Sequence, residues 1–101
     1  MSKSMADIVR EEARLIMLRE LAAQPDHRLN SELLRRALET YGVNRPRDWV
    51  HDELRWLADL GAVSITDVSS VRIASLTRKG LDHVERRIVI EGVKRPSPPD
   101  L

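Results

Sequence analysis

Apolar residues in the first sixty positions recur at intervals of three and four, the spacing that gathers them on one face of a helix. A first helix is predicted over residues 5–23, because Pro25 then ends the pattern. A second is predicted to start at Asn30 or Ser31, both of which are good N-caps, and to run to Tyr41 before Gly42. The apolar positions assigned to the buried faces are Ile8, Leu15, Leu18, Leu21 and Ala22 in the first helix and Leu33, Leu34, Ala37, Leu38 and Tyr41 in the second.

A third helix is predicted over residues 46–60, with a proline in its first turn and Gly61 after its last. Beyond Gly61 the apolar period changes to about 2, which is typical of β-strands. Two β-branched runs, residues 62–68 and 71–76, are separated by two serines and predict a hairpin. A fourth helix is predicted to follow over residues 77–89.

Three helices, a hairpin and a fourth helix, in this order, are typical of an α+β winged helix-turn-helix domain. This domain is predicted over residues 1–90, with a Pro-rich extended tail over residues 91–101. The third helix passes into the first strand of the hairpin through the motif Leu-Gly-Ala-Val at residues 60–63. The second strand passes into the fourth helix through Leu-Thr-Arg-Lys-Gly, in which Thr77 is an N-cap and Gly80 allows close backbone packing.

Together these two motifs resemble the winged helix-turn-helix regulators of the ArsR and MarR type. The stretch from Glu12 to Pro98 further resembles a family of short winged-helix proteins encoded in Mu-like prophages. This resemblance implies a winged-helix fold and, for the function, transcription regulation. The chain has no cysteine, so it departs from the metal sensors of the ArsR type and gives no support to metal-responsive repression.

The composition narrows the possible classes of protein further. A chain of 101 residues, of which 42% are hydrophobic, supports one small domain. Because cysteine is absent, disulfides, thiolate zinc sites and cysteine nucleophiles are excluded. No apolar run approaches the roughly 18 residues of a membrane span, and the N-terminal segment does not resemble a signal peptide. We expect a cytoplasmic protein that makes no membrane contact.

Side chains suited to catalysis or metal binding are scattered along the chain. His27, His51 and His83 fall on three different predicted elements, and the neighbouring Asp82 and Glu85 diverge from His83 around a helix. The four glycines form no phosphate-binding loop. We therefore expect a protein that is not an enzyme, with no catalytic residue, no bound metal and no cofactor.

The polar face of the third helix carries the strongest candidate chemistry. Arg47, His51 and Arg55 lie on this face, where a helix in the major groove of double-stranded DNA would contact base edges or phosphates. Asp48 and Asp52 on the same face would repel phosphates, so a solvated helix face is the alternative interpretation. The other candidate DNA-binding residues are Arg72 beside the hairpin turn and Arg78 and Lys79 at the start of the fourth helix.

The opposite face of the third helix is broad and mostly apolar. Trp49 and Trp56 lie on one edge of it and are predicted to belong to the core or to a dimer interface, with stacking on unpaired bases as the alternative. Glu53 falls inside the apolar arc, so it should hydrogen-bond to an arginine or a backbone donor. The residues of this face predicted to form the core with Leu15, Leu18, Leu33 and Leu38 are Val50, Leu54 and Leu57.

Two functions from different classes follow from these observations. The first is a phage or prophage transcriptional regulator that binds DNA as a homodimer through the third helix, with the dimer interface on its first or last helix. The second is a winged-helix adaptor that binds another phage protein during assembly or packaging. Net charge favours the adaptor, because residues 30–61 hold five basic and six acidic side chains. DNA binding favours a basic surface instead.

Overall fold

The computed structural model describes residues 2–98, and this part of the chain forms four helices and three strands. The order is that of an α+β winged helix, which confirms the predicted fold class. The elements are α1 (Met5–Ala22), β1 (Arg28–Asn30), α2 (Ser31–Thr40), α3 (Arg47–Asp59), β2 (Val63–Val68), β3 (Val71–Leu76) and α4 (Arg78–Val84).

The wing hairpin of β2 and β3 is part of a three-stranded antiparallel sheet with the order β1-β3-β2. The short strand β1 was not predicted, because three residues with polar ends carry too little alternation to identify a strand. Its pairing with β3 ends at Asn30, whose side chain caps α2 by accepting a hydrogen bond from the backbone N–H of Leu33. This junction places the start of α2 beside the wing.

Gly80 allows the fourth helix to pack against the start of the wing, as the sequence predicts. A Cβ atom at Gly80 would lie 2.2 Å from the carbonyl oxygen of Ala62 and 2.6 Å from Cδ1 of Leu76. The Thr77 hydroxyl caps α4 by accepting from the Gly80 N–H, and it donates to the carbonyl oxygen of Gly61. These contacts connect the end of α3, the base of the hairpin and α4.

The core forms where the three N-terminal helices meet the sheet. Val50, Leu54 and Leu57 are fully buried there, as predicted. The prediction for Leu33 was wrong, because this side chain is 45% exposed. The buried line of α2 runs instead through Ser31, Leu34 and Leu38, and Leu33 lies about 100° away from Leu34 around the helix. Two further residues assigned to buried faces, Ile8 and Tyr41, are exposed as well.

The predicted fourth helix extends five residues too far, since α4 ends at Val84 rather than Val89. At Arg86 the backbone adopts the left-handed conformation, with φ of 63°, and leaves the helix. Fully buried His83 then holds the returning chain, because its Nδ1 accepts from the N–H of Ile90 and its Nε2 bonds to the carbonyl oxygen of Lys94. This turn brings the apolar side chain of Ile90 into the core.

The chain after Ile90 has no regular secondary structure up to residue 98, and it contacts α1 at Glu11 and α3 at Trp56. Val93 is buried in the core, and the Lys94 N–H donates to the carbonyl oxygen of Glu11. The last three residues of the predicted tail, 99–101, lie outside the described part of the chain.

Glu53 has the buried arginine partner that its position in the apolar arc predicts. Its Oε1 lies 2.7 Å from Nε of Arg14, and the two side chains are 8% and 10% exposed. The Arg14 guanidinium also donates to the carbonyl oxygen of Gly92 over 2.8 Å, and its Cζ lies 3.6 Å from the ring centre of Trp56. One arginine of α1 therefore connects α3 to the C-terminal segment.

Candidate nucleic-acid interface

The candidate interface begins with the exposed face of α3. Arg47 and Arg55 project from this face with side chains 58% and 71% exposed. Within residues 2–98 each has only a loose acidic neighbour on the same helix, Asp48 at 3.9 Å for Arg47 and Asp59 at 3.8 Å for Arg55. Exposed ion pairs of this kind contribute little to stability, so both guanidinium groups are free to contact a ligand.

The wing hairpin is joined to α2 and α3 by a set of hydrogen bonds around the Ser31 hydroxyl. Ser31, 2% exposed, lies where the pairing of β1 with β3 has just ended. Its Oγ accepts the backbone N–H of Arg72 over 3.0 Å and hydrogen-bonds to Nε2 of His51 over 3.0 Å. The guanidinium of Arg72 donates in turn to the backbone carbonyl of His51 over 3.3 Å. We call Ser31, His51 and Arg72 the wing anchor.

His51 is held in its neutral form by this environment. Burial lowers the pKa of its imidazole below the ordinary value of 6.5, and the positive charges of Arg72 and Arg47 lower it further. The carboxylates of Asp48 and Asp67 oppose this shift but do not outweigh it. A neutral imidazole bonded to Ser31 is poorly suited to contact a phosphate.

A groove of mixed charge separates α3 from the wing. Its positive side chains are Arg55 and Arg72, and its negative side chains are Asp59 and Asp67. Asp67 lies 3.3 Å from Nε of Arg72, its partner across the hairpin, and so neutralises much of the charge next to the wing tip. The candidate interface therefore combines two exposed arginines, Arg47 and Arg55, with a groove whose positive and negative charges nearly balance.

Arg78 and Lys79 lie at the opposite end of the hairpin from the wing tip. Leu76, just before them, pairs with Val63 at the base of the hairpin, whereas Val71 pairs with Val68 at its tip. Five residue steps along a strand separate these pairs by about 17 Å. Lys79 donates from Nζ to the carbonyl oxygen of Leu60 over 2.7 Å and so caps α3. The structure thus places four of the six candidates around α3 and the wing and the other two elsewhere.

Ser31 is central to this arrangement, although no pattern in the sequence indicated a function for it. Its place at the start of α2 made it one of two possible N-caps, and the structure shows that the other, Asn30, caps the helix. The only signal in the sequence is that two residues with N-capping side chains stand next to each other. When one of them caps the helix, the hydroxyl of the other is left to bond elsewhere.

Both tryptophans are half-buried against the core, in agreement with their predicted structural role. Trp56 stacks on Arg14, and Trp49 lies next to Arg45, whose Cζ is 5.6 Å from the centre of its ring. Neither residue belongs to the groove between α3 and the wing. Their stacking on unpaired bases has no support in this geometry.

Comparison with known proteins identifies relatives of this chain in phages and bacteria. It is 36% identical over 92 residues to the uncharacterized protein gp26 of Escherichia phage Mu, a match covering 91% of this chain and 95% of the phage protein. The chain belongs to the family of Mu gp26. An uncharacterized protein of Haemophilus influenzae is 26% identical over 98 residues, which cover 96% of this chain and 94% of that protein. No protein-family model matches the chain.

Two solved structures share the fold of this Mu gp26 relative. They are complex structures of hsRosR-S1 and hsRosR-S4, each with a TM-score of 0.62 and 20% sequence identity. The matches cover 73% and 78% of this chain, and 65% and 73% of the chains compared. At this identity the likeness establishes the winged-helix fold. The predicted phage family is thus confirmed, and the more specific likeness to ArsR and MarR regulators stays a prediction.

In residues 2–98 of the Mu gp26 relative, none of the helices is long and apolar enough to cross a membrane. Among the same residues, no three side chains of histidine, cysteine, aspartate or glutamate converge as a metal site would require.

Proposed function

We propose that this member of the Mu gp26 family is a cytoplasmic phage or prophage transcriptional regulator that binds double-stranded DNA as a homodimer and catalyses no reaction. One observation carries the proposal: the exposed arginines of α3 project beside a wing that hydrogen bonds hold against the same helix. Helix-turn-helix proteins place such a helix in the major groove.

Arg55 is the leading candidate for contact with a base. Its guanidinium is 71% exposed, and its only ion pair within residues 2–98, with Asp59, is loose at 3.8 Å. A guanidinium can donate two hydrogen bonds to guanine, the commonest specific contact in the major groove. Arg55 also lines the groove between α3 and the wing, so a base edge entering that groove would meet it.

A gel-shift titration with the DNA that flanks the chain's own gene tests this proposal. Arg55→Ala should weaken specific binding by about 1–3 kcal/mol, or roughly 5- to 150-fold, without disturbing the core. Arg87→Ala, which removes an arginine 64% exposed after α4, is the matched control and should leave binding unchanged. Binding should also weaken as salt increases, because phosphate contacts release counterions. No salt-dependent binding by the unaltered chain would refute the proposal.

The homodimer is supported by apolar side chains exposed at the start of α1. Met5 and Ile8 are 71% and 47% exposed. They lie three residues apart, so they share one face of the helix. A dimer would also join two copies of α3, each of which can contact only a few base pairs. Light scattering should give twice the chain mass at micromolar concentration, and Ile8→Asp should restore the monomer.

The competing function is that of an adaptor that binds another phage protein through α3 and the wing. It is favoured by the carboxylates of this surface, since Asp48 has a side chain 90% exposed and Asp67 one 75% exposed. Asp52 separates the proposals: as an exposed acid on the DNA-facing side of α3, its change to Asn should strengthen DNA binding. An unchanged gel shift for both Asp52→Asn and Arg55→Ala would favour the adaptor.

A further inference from the structure

The wing anchor joins three elements that are distant in sequence. Ser31 begins α2, His51 lies in the first half of α3, and Arg72 is the second residue of β3. One serine hydroxyl contacts the other two residues, each over 3.0 Å. In the outer half of the hairpin the side chains of Thr66 and Val68 are exposed. The wing anchor joins this half of the hairpin to α2 and α3.

The Ser31 hydroxyl continues the sheet beyond the end of β1. The register pairs Asn30 with Ile73, so the next residue on each strand is Ser31 and Arg72. There the chain enters α2, and the Arg72 N–H would lose its partner if the Ser31 Oγ did not accept it. A side chain thus replaces the backbone acceptor that a longer β1 would supply.

The functional groups of Arg72 and His51 are both engaged inside the protein. Arg72 donates to the His51 carbonyl oxygen over 3.3 Å and lies 3.3 Å from the Asp67 carboxylate, and its side chain is 29% exposed. The His51 ring bonds to Ser31 through Nε2. Because these bonds hold both side chains against the protein, a phosphate could reach only the donors left over on a guanidinium that is 29% exposed and on a part-buried imidazole.

From these contacts we infer that Ser31, His51 and Arg72 are positioning residues that fix the wing relative to α3, and that Arg72 and His51 do not themselves contact DNA. The inference rests on the proposed function for its role in recognition. The anchoring itself is a property of the free protein. With the wing fixed, Arg55 and any wing contact would meet the duplex at a set distance from each other, which favours specific over non-specific complexes.

Hydrogen exchange of the free chain tests the anchoring without DNA. Ser31→Ala should speed exchange of the Arg72 amide and of the outer wing, residues 66–72, by about tenfold, because the amide loses its acceptor. Ser64→Ala is the matched control, since this serine is exposed on β2 of the same sheet. Exchange unchanged in Ser31→Ala, or equally faster in Ser64→Ala, would overturn the anchoring.

DNA titrations of two Arg72 variants test the positioning role. Arg72→Ala and Arg72→Lys should both lower the ratio of binding to the gene-flanking DNA over binding to a random duplex of equal length, by about tenfold, because neither side chain can contact the His51 carbonyl and the Asp67 carboxylate together as the guanidinium does. The dependence of binding on salt should stay the same in both. A salt slope reduced by about one in Arg72→Ala, but not in Arg72→Lys, would show a phosphate contact and overturn the assignment. If the unaltered chain binds no DNA, the proposed function and the positioning role both fail, and the exchange experiment still decides the anchoring.

Discussion

Replacing Glu53 with alanine would leave the Arg14 guanidinium buried without its carboxylate. The pair is short, with 2.7 Å between Nε and Oε1, and both side chains are at most 10% exposed. Arg10 offers Glu53 a second but weaker contact at 4.0 Å, from a side chain 41% exposed. Removing one member of a buried ion pair is costly because the charge that stays behind is both desolvated and unpaired.

The expected loss for Glu53→Ala is about 3–5 kcal/mol of unfolding free energy. It would be large against the roughly 5–15 kcal/mol total of a small domain. Arg14 retains its bond to the Gly92 carbonyl and its stacking on Trp56, so the lower half of this range is the better estimate. Glu53→Gln retains an oxygen that can accept from Nε of Arg14 and should lose less, about 1–3 kcal/mol.

Urea titration followed by circular dichroism measures these losses. If the slope is about 2 kcal/mol per molar urea, Glu53→Ala should lower the midpoint by about 2 M. Asp59→Ala is the matched control on the same helix, because Asp59 forms an exposed pair at 3.8 Å that should contribute less than about 1 kcal/mol. A loss below about 1 kcal/mol for Glu53→Ala, with the slope unchanged, would refute this reasoning, because it would mean that Arg14 reaches water once Glu53 is gone.

Two further predictions concern the core and the wing anchor. Leu54→Ala, at a fully buried position, should cost about 2–5 kcal/mol in the same urea titration, whereas Leu33→Ala, at a side chain 45% exposed, should cost less than about 1 kcal/mol; equal losses would contradict the assigned faces. His51 should titrate below pH 6.5 by NMR, because burial, Arg72 and Arg47 lower its pKa. Since the folded chain then binds fewer protons than the unfolded chain, this contribution to stability is fully present above pH 6.5 and is lost as the pH falls through the folded pKa; a midpoint at or above 6.5 would contradict it.

Most of the fold could be predicted because apolar spacing and chain breakers agree along the sequence. Gly61 follows the end of α3, and the apolar spacing after it is that of a strand. Its φ of 77° lies in the left-handed region that glycine adopts readily. The Thr77 cap and the close packing at Gly80 followed from residue type alone. Glu53 could be assigned a partner, since a carboxylate in an apolar arc must be paired, although the sequence could not identify that partner as Arg14.

The errors arise where a tertiary contact decides between two locally acceptable conformations. Residues 85–89 have helical spacing, yet the bonds that His83 makes to the returning chain end α4 at Val84. Leu33 is as apolar as Leu34, but the exact start of α2 determines which of them is buried. No pattern within a segment contains this information.

At the candidate interface too, the sequence alone does not determine which polar residues are available to a ligand. A helical wheel places His51 and Arg55 together on the polar face of α3, so from the sequence they are equivalent candidates for contact with DNA. In the structure only Arg55 is exposed and loosely paired, whereas His51 is bonded to Ser31, a residue twenty positions earlier. What separates the two roles is the wing, because its strand β3 returns the Arg72 side chain to the His51 carbonyl. A polar residue on a helix face is therefore a ligand contact only where no neighbouring element uses its bonding groups, and on this surface that condition favours Arg47 and Arg55.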